Sequence, residues 1–481
     1  MFSPLFGTGK RAFSLKCSRS RNSIRSGVIL LALSSGLVRP SAADTVNWTL
    51  GANGNWNVAG NWTDSTTLSN VVPGTGDTAA IGAFTVNLTS GSFNVGGLNT
   101  SSTNLSSGTL SVSGASSFGG STILDTTTFN ANGTAAIANS SRLLLRGGTT
   151  LSTNTLNVGN GSVLSIQETA SGSPTLNITN FLFNGVSPGN AGSVYFEGRT
   201  GFTPTYTLNS GQTFTGNIAG IGDSISVNGN SSTLNTAATF NLNASGTTTQ
   251  FGGVVSAVNN SGTIRSSNGN NILIQPNTFT NSGTVDVGVG TTLRLVSGEQ
   301  QTAGNTHVDG NLAIDSGRSL TLSGGTLTGS GTIGPNSGTI SVINNGGTVN
   351  PGNSPGTLTL QGNYTQGASG SLFIDLGSAA SDLFNVSGSA VLDGTLDINL
   401  FGGFLPSVGQ NFTFLNYGSH TGFFSNIVSL NPGYGYSVAY NGSNAVLSVT
   451  AAASATPEPG VWAMLAGLGL TTMSVLRRRK R

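Results

Sequence analysis

Short runs of alternating apolar and small polar residues recur along most of this chain. Examples are TLSVSG at Thr109–Gly114, GTVDVG at Gly283–Gly288 and SLTLSGGTLTG at Ser319–Gly329. A period of two is typical of a β-strand that buries one face. Clusters of Gly, Ser, Thr and Asn separate the runs, and these residues favour tight turns. The pattern therefore predicts an all-β protein built from many short strands.

A four-residue motif repeats within this pattern. NSGT occurs at Asn260–Thr263, at Asn281–Thr284 and again at Asn336–Thr339, and a looser NGGT occurs at Asn345–Thr348. The first two copies are 281 − 260 = 21 residues apart. Repeats of about twenty residues favour a β-solenoid, in which aligned asparagines can form ladders across coils. We predict a right-handed parallel β-helix over residues 101–350, with a β-sandwich of degenerate turns as the alternative.

The N-terminal flank of this body is rich in tryptophan. Trp48, Trp56 and Trp62 lie in WTLGANGNWNVAGNW, and PGTGDTAAI follows at Pro73–Ile81. This start resembles that of exported bacterial solenoid proteins. We expect residues 44–100 to cap the first coil, since terminal coils must be covered. The alternative is that the three indole rings stack on sugars.

The C-terminal flank has a different character. Residues 351–450, beginning PGNSPGTLTLQGNYTQ, resemble the C-terminal passenger segment of autotransporters and related adhesins. The resemblance implies the last coils of a β-helix, followed by a linker at residues 451–456.

Charge is segregated along the chain, so the formal net charge of +2 misrepresents the body. Residues 44–456 contain six arginines and fifteen acids, which gives 6 − 15 = −9. A body of that sign repels phosphate backbones, and we therefore expect no nucleic-acid partner. The single cysteine, Cys17, lies outside this body, which excludes disulfides and thiolate metal sites within it.

The N-terminus has the organisation of a secretory signal peptide. Met1–Ser26 is basic and lacks acids, Gly27–Val38 is apolar, and Ser41 and Ala43 are small residues at the −3 and −1 positions of a cut after Ala43. We predict that residues 1–43 direct export and are removed.

The C-terminal segment has the pattern of a stop-transfer membrane anchor. Residues 460–476 are uncharged and would reach about 25 Å as a helix, the short limit for a membrane span. Five cations follow and would stay on the cytoplasmic side of the inner membrane: Arg477, Arg478, Arg479, Lys480 and Arg481. A plain stop-transfer anchor is one interpretation of this segment.

A more specific interpretation includes the residues before the apolar segment. Pro457, Glu458 and Pro459 precede it, and prolines hold an extended, accessible backbone. Pro-Glu-Pro, a short apolar helix and an Arg-rich end together make residues 457–481 similar to the PEP-CTERM sorting signal. The resemblance implies recognition by an exosortase-like membrane protease or transpeptidase. It also implies transient anchoring in the inner membrane, then location at the cell surface or in an exopolysaccharide-containing matrix.

Candidate catalytic groups are sparse. Glycoside hydrolysis needs two facing carboxylates, and metal-dependent lyases need clustered acids. Two groups qualify by spacing, and we expect both to be solvated turn residues: Asp375, Asp382, Asp393 and Asp397, and Asp309, Asp315 and Arg318 beside His307. His307 and His420 are too few for a histidine-rich metal site. We expect no catalytic, cofactor or metal site.

These observations predict an exported, non-enzymatic surface or matrix protein, either an adhesin or a structural protein associated with exopolysaccharide. A carbohydrate-active β-helix enzyme, a lyase or glycosidase, is the alternative, and a self-associating filament is a third possibility. Facing carboxylates on one solenoid surface would favour the enzyme. A bare Ser/Thr/Asn face would favour the adhesin.

Overall fold

A computed structural model describes residues 44–184, 193–197, 205–208, 213–217, 224–228, 233–236, 239–242, 248–251, 257–267, 271–353 and 355–453. In these ranges the chain is all-β, apart from two short 3-10 helices at Ala59–Asn61 and Phe401–Gly403. The predicted signal peptide with Ala43 and the predicted sorting signal at residues 457–481 lie outside the described residues. Among the residues described, no helix is long and apolar enough to cross a membrane.

The strands wind as a parallel β-solenoid with three faces, here called face 1, face 2 and face 3 in chain order. One coil, for example, runs through Thr292–Leu295 on face 1, Glu299–Gln301 on face 2 and Asn305–Val308 on face 3. Each strand pairs in parallel with the strand on the same face one coil later, as Thr292 does with Asn311. The solenoid prediction is confirmed and the sandwich alternative is wrong. The right-handed sense remains a prediction, because strand pairing does not define it.

The strands of faces 1 and 3 form continuous columns, whereas face 2 is divided between two sheets. Four long strands in the early coils turn a corner and serve two faces. Face 1 contains Gly54–Asn55, Thr85–Asn87, residues 104–106 of Asn104–Val112, residues 121–125 of Ser121–Ala131, Arg142–Arg146, Val163–Gln167, Ser193–Glu197, Ser224–Asn228, Thr248–Phe251, Asn271–Ile274, Thr292–Leu295, Asn311–Ile314, Thr332–Pro335, Thr357–Leu360, Leu383–Val386 and Asn411–Asn416. Face 2 contains Ser92–Val95, residues 109–112, residues 127–131, residues 150–153 of Thr150–Val158 and residues 175–178 of Thr175–Asn184.

Face 2 then continues as a separate ten-stranded sheet: Thr205–Leu208, Thr233–Thr236, Ala257–Asn260, Thr278–Asn281, Glu299–Gln301, Ser319–Leu322, Ser341–Asn344, Asn363–Gln366, Ser389–Leu392 and Ser419–Gly422. Face 3 contains Thr45–Trp48, Thr78–Ile81, Gly97–Ser101, Ser116–Gly119, Ala135–Ile137, residues 155–158, residues 180–184, Thr213–Asn217, Thr239–Leu242, Thr263–Ser266, Thr284–Val287, Asn305–Val308, Thr326–Gly329, Thr348–Pro351, Ser371–Leu376, Thr395–Leu400 and Asn426–Ser429.

The core is the interior of this coil. Every second strand residue points inward, so equivalent positions stack as apolar columns such as Leu293, Leu312 and Ile333 on face 1. All three side chains are fully buried. Each buried aliphatic side chain of this size contributes about 1.5–3 kcal/mol relative to exposure. Stability is therefore spread along the whole stack rather than concentrated in one centre.

The two ends are closed differently. At the first coil, Trp62–Asp64 pairs antiparallel with Thr45–Trp48 on face 3. At the last coil, Gly435–Tyr440 and Asn444–Ala451 form a hairpin, and its second strand pairs antiparallel with Asn411–Asn416 on face 1. Parallel coil pairing already begins at Thr45, which pairs with Thr78 inside the segment predicted as cap, and continues through the passenger-like segment to Ser429.

Candidate functional site

The outer surface of face 2 is the most uniform polar surface of the solenoid. Its strands read, for example, TFTN, SLTL and NYTQ, with Ser, Thr or Asn at outward positions. The outward residues with described side chains are Ser92, Asn94, Thr109, Ser111, Thr128, Asn130, Thr150, Ser152, Thr175, Asn177, Ala257, Asn259, Thr278, Thr280, Gln300, Ser319, Thr321, Ser341, Ile343, Asn363, Thr365, Ser389, Val391, Ser419 and Thr421. None is charged. Apart from Ala257, Ile343 and Val391 these residues are polar, so the face is similar to the Ser/Thr/Asn face expected of an adhesin.

Parallel pairing places these groups in register. Thr280 pairs with Gln300, which pairs with Thr321, so the hydroxyl and amide groups recur about every 4.8 Å along the coil axis. In the earlier coils the amides of Asn130 and Asn177 donate to Ser hydroxyls one coil back, at 3.4 and 3.3 Å. The result is a long array of hydrogen-bonding groups with a fixed repeat and no charge.

Most charged side chains of the described residues lie on the other faces and in the turns, and some of them pair across adjacent coils. Arg265 contacts Asp286 at 2.8 Å on face 3. On face 1 Arg294 makes two hydrogen bonds to Asp315, at 2.7 and 2.9 Å. The only Asp, Glu, Lys, Arg or His residues in the face 2 strands are Glu299 and His420, and both occupy inward positions.

The inner side of face 2 carries a column of buried amides. Asn260 donates to Asn281 Oδ1 at 2.9 Å, across 21 residues, and both side chains are almost fully buried. Each amide oxygen also accepts from the backbone two residues later, at Gly262 (3.2 Å) and Gly283 (3.1 Å). The predicted asparagine ladder is therefore confirmed for the first two NSGT motifs.

The other two motif copies do not fit the ladder as predicted. Asn336 is exposed in the turn between faces 1 and 2. In the NGGT copy the buried residue is Asn344, one position before the predicted Asn345, and it accepts from the backbone of Gly347 at 2.9 Å. Gln366 continues the column with donors to the carbonyls of Asp393 and Thr395. Three of the four copies lie at the corner between faces 2 and 3, where the register follows the length of the turn, and the Asn336 copy lies at a different corner.

Sequence reasoning missed a buried acid in this face. Glu299 is 1% exposed, and its Oε1 accepts the Thr306 hydroxyl at 2.8 Å. Burial raises the pKa of Glu299 to about 7, although the Thr306 bond acts in the opposite direction. The signal in the sequence was its inward position in EQQ, where neighbouring rungs carry Phe279 and Leu320.

The first predicted acid group does not converge on one site. Asp382 is buried and accepts from the backbone N–H groups of Gly356 and Asp375, each at 2.8 Å. Burial raises the pKa of Asp382 to about 6, although these two backbone bonds act to lower it. Asp393 instead accepts from Ser425 and Gly394, and Asp397 lies at an outward position of face 3. Asp382 is thus a buried turn anchor, and Asp375 is a buried strand residue that accepts from Asn399 at 2.7 Å. Neither is the solvated turn residue that we predicted.

The second predicted group separates into two clusters. His307 contacts Asp309 through Nε2 at 3.1 Å and Thr328 through Nδ1 at 2.8 Å. Burial acts to raise the pKa of Asp309, but bonds from Ser330 and Asn353 hold it below its ordinary value. Asp315 instead pairs with Arg294, and Arg318 donates its backbone N–H to the Asp315 carbonyl.

The hydroxyl, imidazole and carboxylate of the first cluster follow one another as in a nucleophile–base arrangement. The Thr328 hydroxyl also lies 3.2 Å from Asn305 Oδ1, a second acceptor for its single proton. His307 and Asn305 thus both connect to Thr328 one coil later. The cluster fits better as a lateral brace between coils.

The tryptophans are not available for sugar stacking. Trp62 packs edge-on against Trp48 at 4.9 Å and against Trp56 at 4.8 Å between ring centroids. Trp56 and Trp62 are fully buried and Trp48 is 6% exposed. No indole face is open to a ligand, so the stacking alternative is corrected, and the burial fits a cap over the first coil.

The described residues offer no candidate metal site. The described residues contain no group of three or more His, Cys, Asp or Glu side chains that could hold a metal ion. His420 lies against the rings of Tyr417 and Tyr440, at 4.8 and 5.5 Å.

No known protein family matches the chain, and no curated protein is similar to it.

Proposed function

We propose that this chain is an exported, non-enzymatic surface or extracellular-matrix protein whose body binds exopolysaccharide through the outer surface of face 2. The observation that carries the proposal is the uncharged array of hydroxyl and amide groups on that face, repeated coil after coil. Sugar hydroxyls are both donors and acceptors, as are these side chains. Many weak contacts along one polymer add up through multivalency.

The lack of charge on face 2 narrows the partner class. Without Lys or Arg, the face offers no attraction for an anionic polymer, and the acidic body as a whole repels one. A neutral, extended polysaccharide is therefore the favoured ligand. Its binding should depend little on salt, since screening acts on charge pairs.

We further propose that the tail directs the location of the protein. Pro457, Glu458 and Pro459 would be recognised by an exosortase-like enzyme while residues 460–476 are in the inner membrane and Arg477–Arg481 stay in the cytoplasm. A stop-transfer anchor without processing is the alternative. Replacing Glu458 with Gln and following the mass of the exported chain separates the two: unprocessed accumulation supports sorting, and an unchanged mass supports a plain anchor.

The binding proposal is tested by cosedimentation of the purified full chain, in mild detergent, with the exopolysaccharide of the producing cells. Thr321→Glu places a charge at the centre of face 2, and Thr359→Glu does so at an outward position of face 1. We expect the first variant to bind more weakly and the second to bind like the wild type. Equal loss in both would contradict the assignment to face 2.

The same samples test the enzyme alternative. Time-dependent appearance of reducing ends or unsaturated sugars would show cleavage and would overturn the non-enzymatic proposal. His307→Ala, Asp309→Ala and Asp382→Asn would then be the first variants to compare, since these residues are the strongest candidates for catalysis.

A further inference from the structure

The C-terminal end of the solenoid carries a concentration of exposed apolar side chains. Leu405 is 73% exposed, Val408 61%, Leu430 49% and Phe401 43%. Phe423 at the same end is 65% exposed, and the opposite end also has exposed apolar residues, such as Leu68 at 76% and Val58 at 44%. Between Val72 and Ala390, Val289 is the only comparably exposed large apolar residue of the described part. An isolated exposed residue is ordinary, whereas a group of them at one end indicates an interaction surface.

Backbone contacts place three of these residues near the point where the chain leaves the body, and Leu405 lies between Phe401 and Val408 in the sequence. Leu430 N–H donates to the Ile398 carbonyl at 2.9 Å, and Leu400 N–H donates to Asn431 Oδ1 at 2.7 Å, which brings Phe401 beside Leu430. Gly409 N–H donates to the Val449 carbonyl at 2.8 Å, which brings Val408 beside the last strand. That strand ends at Ala451. We call Phe401, Leu405, Val408 and Leu430 the exit patch.

The exit patch lies in a region without acids or strong bases. Residues 401–453 contain no Asp, Glu, Lys or Arg, although the body as a whole has a formal charge of −9. Transfer of this end to a lipid headgroup region would therefore remove no charged side chain from water. Anionic headgroups would not repel it, unlike the acidic coils behind it.

The length of the following chain places a limit on where this end can lie. An extended connection from Ala453 to Gly460 spans at most about 25 Å. If residues 460–476 are in the membrane, as the proposed function requires, the exit patch is held within that distance of the lipid surface. Contact with a second copy of the chain, by contrast, would not require this end of the solenoid to lie near the membrane.

We infer that the exit patch rests on the outer surface of the inner membrane, so that the anchored solenoid stands on its C-terminal end. The occupant of the patch is the lipid interface, into which Phe and Leu side chains insert favourably. The inference depends on the membrane location of residues 460–476 in the proposed function. It adds a second, independent contact with the same membrane.

The test uses the full chain reconstituted into vesicles of phosphatidylethanolamine and phosphatidylglycerol. In a Cys17→Ser background, Leu405→Cys carries a polarity-sensitive fluorophore, and Val289→Cys is the matched control, since Val289 is 79% exposed in the middle of the solenoid. Flotation reports anchoring, and quenching by doxyl-labelled lipids reports contact of the probe with lipid. We expect the chain to float, the Leu405 probe to be blue-shifted and to lose most of its emission to the quencher, and the Val289 probe to do neither.

Each other outcome has a defined meaning. Flotation with equal quenching at both positions would overturn the patch and leave the anchor intact. A blue shift at Leu405 without quenching, lost on dilution, would assign the patch to a second copy instead. Failure to float would overturn both the anchor and the inference. As a second variant, Phe401→Ser with Leu430→Ser should reduce quenching at Leu405 without changing flotation.

Discussion

The corner between faces 2 and 3 is built in two ways along the same solenoid. In the early coils its last inward position is occupied by Val95, Val112, Ala131, Thr153 and Ile178, which stack in register. In the later coils the equivalent column contains Asn260, Asn281, Gln301, Leu322, Asn344 and Gln366. One region thus closes its corner with mainly apolar packing and the other with buried amides.

At both corners the turn N–H groups donate to carbonyls one coil back, and the later corners add a side-chain acceptor. At the early corner after Val112, the N–H groups of Ser113 and Gly114 donate to carbonyls one coil back, at 3.0 and 2.7 Å. At the two-residue turns after Asn260 and Asn281, the turn glycine N–H also reaches a carbonyl one coil back, at 3.1 Å, and the amide oxygen is a second acceptor for it. The tighter turn thus has an additional acceptor for a buried backbone group.

The largest expected effect comes from removing an amide where the turn depends on it. Asn281→Leu removes the Asn281 hydrogen bonds to Asn260, Gly283 and Thr306, and each contributes about 0.5–1.5 kcal/mol. The Gly283 N–H keeps the Asn260 carbonyl at 3.1 Å as a partner. We expect a loss of about 3 kcal/mol in the free energy of unfolding, from urea titrations followed by circular dichroism. Thr280→Val, on the outer side of the same strand, should change stability little.

Hydrogen exchange would locate the effect. Protection should fall in the coils on either side of Asn281 and stay unchanged in the coils around Val112, since each coil contacts mainly its neighbours. Uniform loss of protection along the chain would contradict this picture of local corners.

The buried acid of the amide region predicts a pH effect that the apolar region lacks. The pKa of Glu299 is about 7 in the folded chain and about 4.5 when unfolded. Between these values the folded state keeps a proton that the unfolded state releases, so stability is full below pH 4.5 and falls as pH rises towards 7. The loss by pH 8 is about 3 kcal/mol, at 1.36 kcal/mol per pKa unit.

Glu299→Gln cannot ionise and should remove this part of the pH dependence. Gln300→Glu, which places a carboxyl on the outer side of the same strand, should keep the wild-type profile. The measurement is the urea midpoint from pH 4 to pH 8. A wild-type profile that stays flat or rises over this range would show that Glu299 is ionised and stabilised in the folded chain.

The sequence predicted the two kinds of corner to different extents. Period-two alternation predicted the strands of both, and the 21-residue NSGT spacing predicted the coil length and the Asn260–Asn281 ladder. The early corners have no such motif, because an apolar residue in an apolar column is indistinguishable from any other core residue. The register of Asn344 was missed because a longer turn shifts the motif by one position.

The candidate site was less predictable than the fold. Outward Ser and Thr are frequent throughout the chain, and only pairing into one face reveals that face 2 excludes charge. Residues as far apart as Asp309 and Asn353 meet through the stacking of coils, which sequence spacing does not display. The burial of Trp56 and Trp62 likewise depends on the position of the first coil.

The converse substitution places an amide in the apolar column of the early coils and tests whether that corner can accommodate one. Val112→Asn buries a polar group between Val95 and Ala131, which offer no side-chain partner. We expect a loss of about 2–3 kcal/mol, the cost of an unpaired buried amide. Val112→Ile, which keeps the position apolar, should cost about 1 kcal/mol or less. Similar values for the two variants would mean that the early corner can satisfy an amide after all.

The smallest effect is expected at Leu322, which is an apolar residue inside the amide column. Its in-register neighbour one coil back is Gln301, whose Oε1 is buried and accepts no hydrogen bond within the described part of the chain. Leu322→Asn brings a donor to that oxygen, which offsets the cost of burying the new amide. We therefore expect a change within about 1 kcal/mol of zero, well below that of Val112→Asn. Leu322→Asn in a Gln301→Leu background should lose this compensation. If the two backgrounds respond alike in a double-mutant cycle, the amide column is a set of separate turn acceptors, not a ladder coupled from coil to coil.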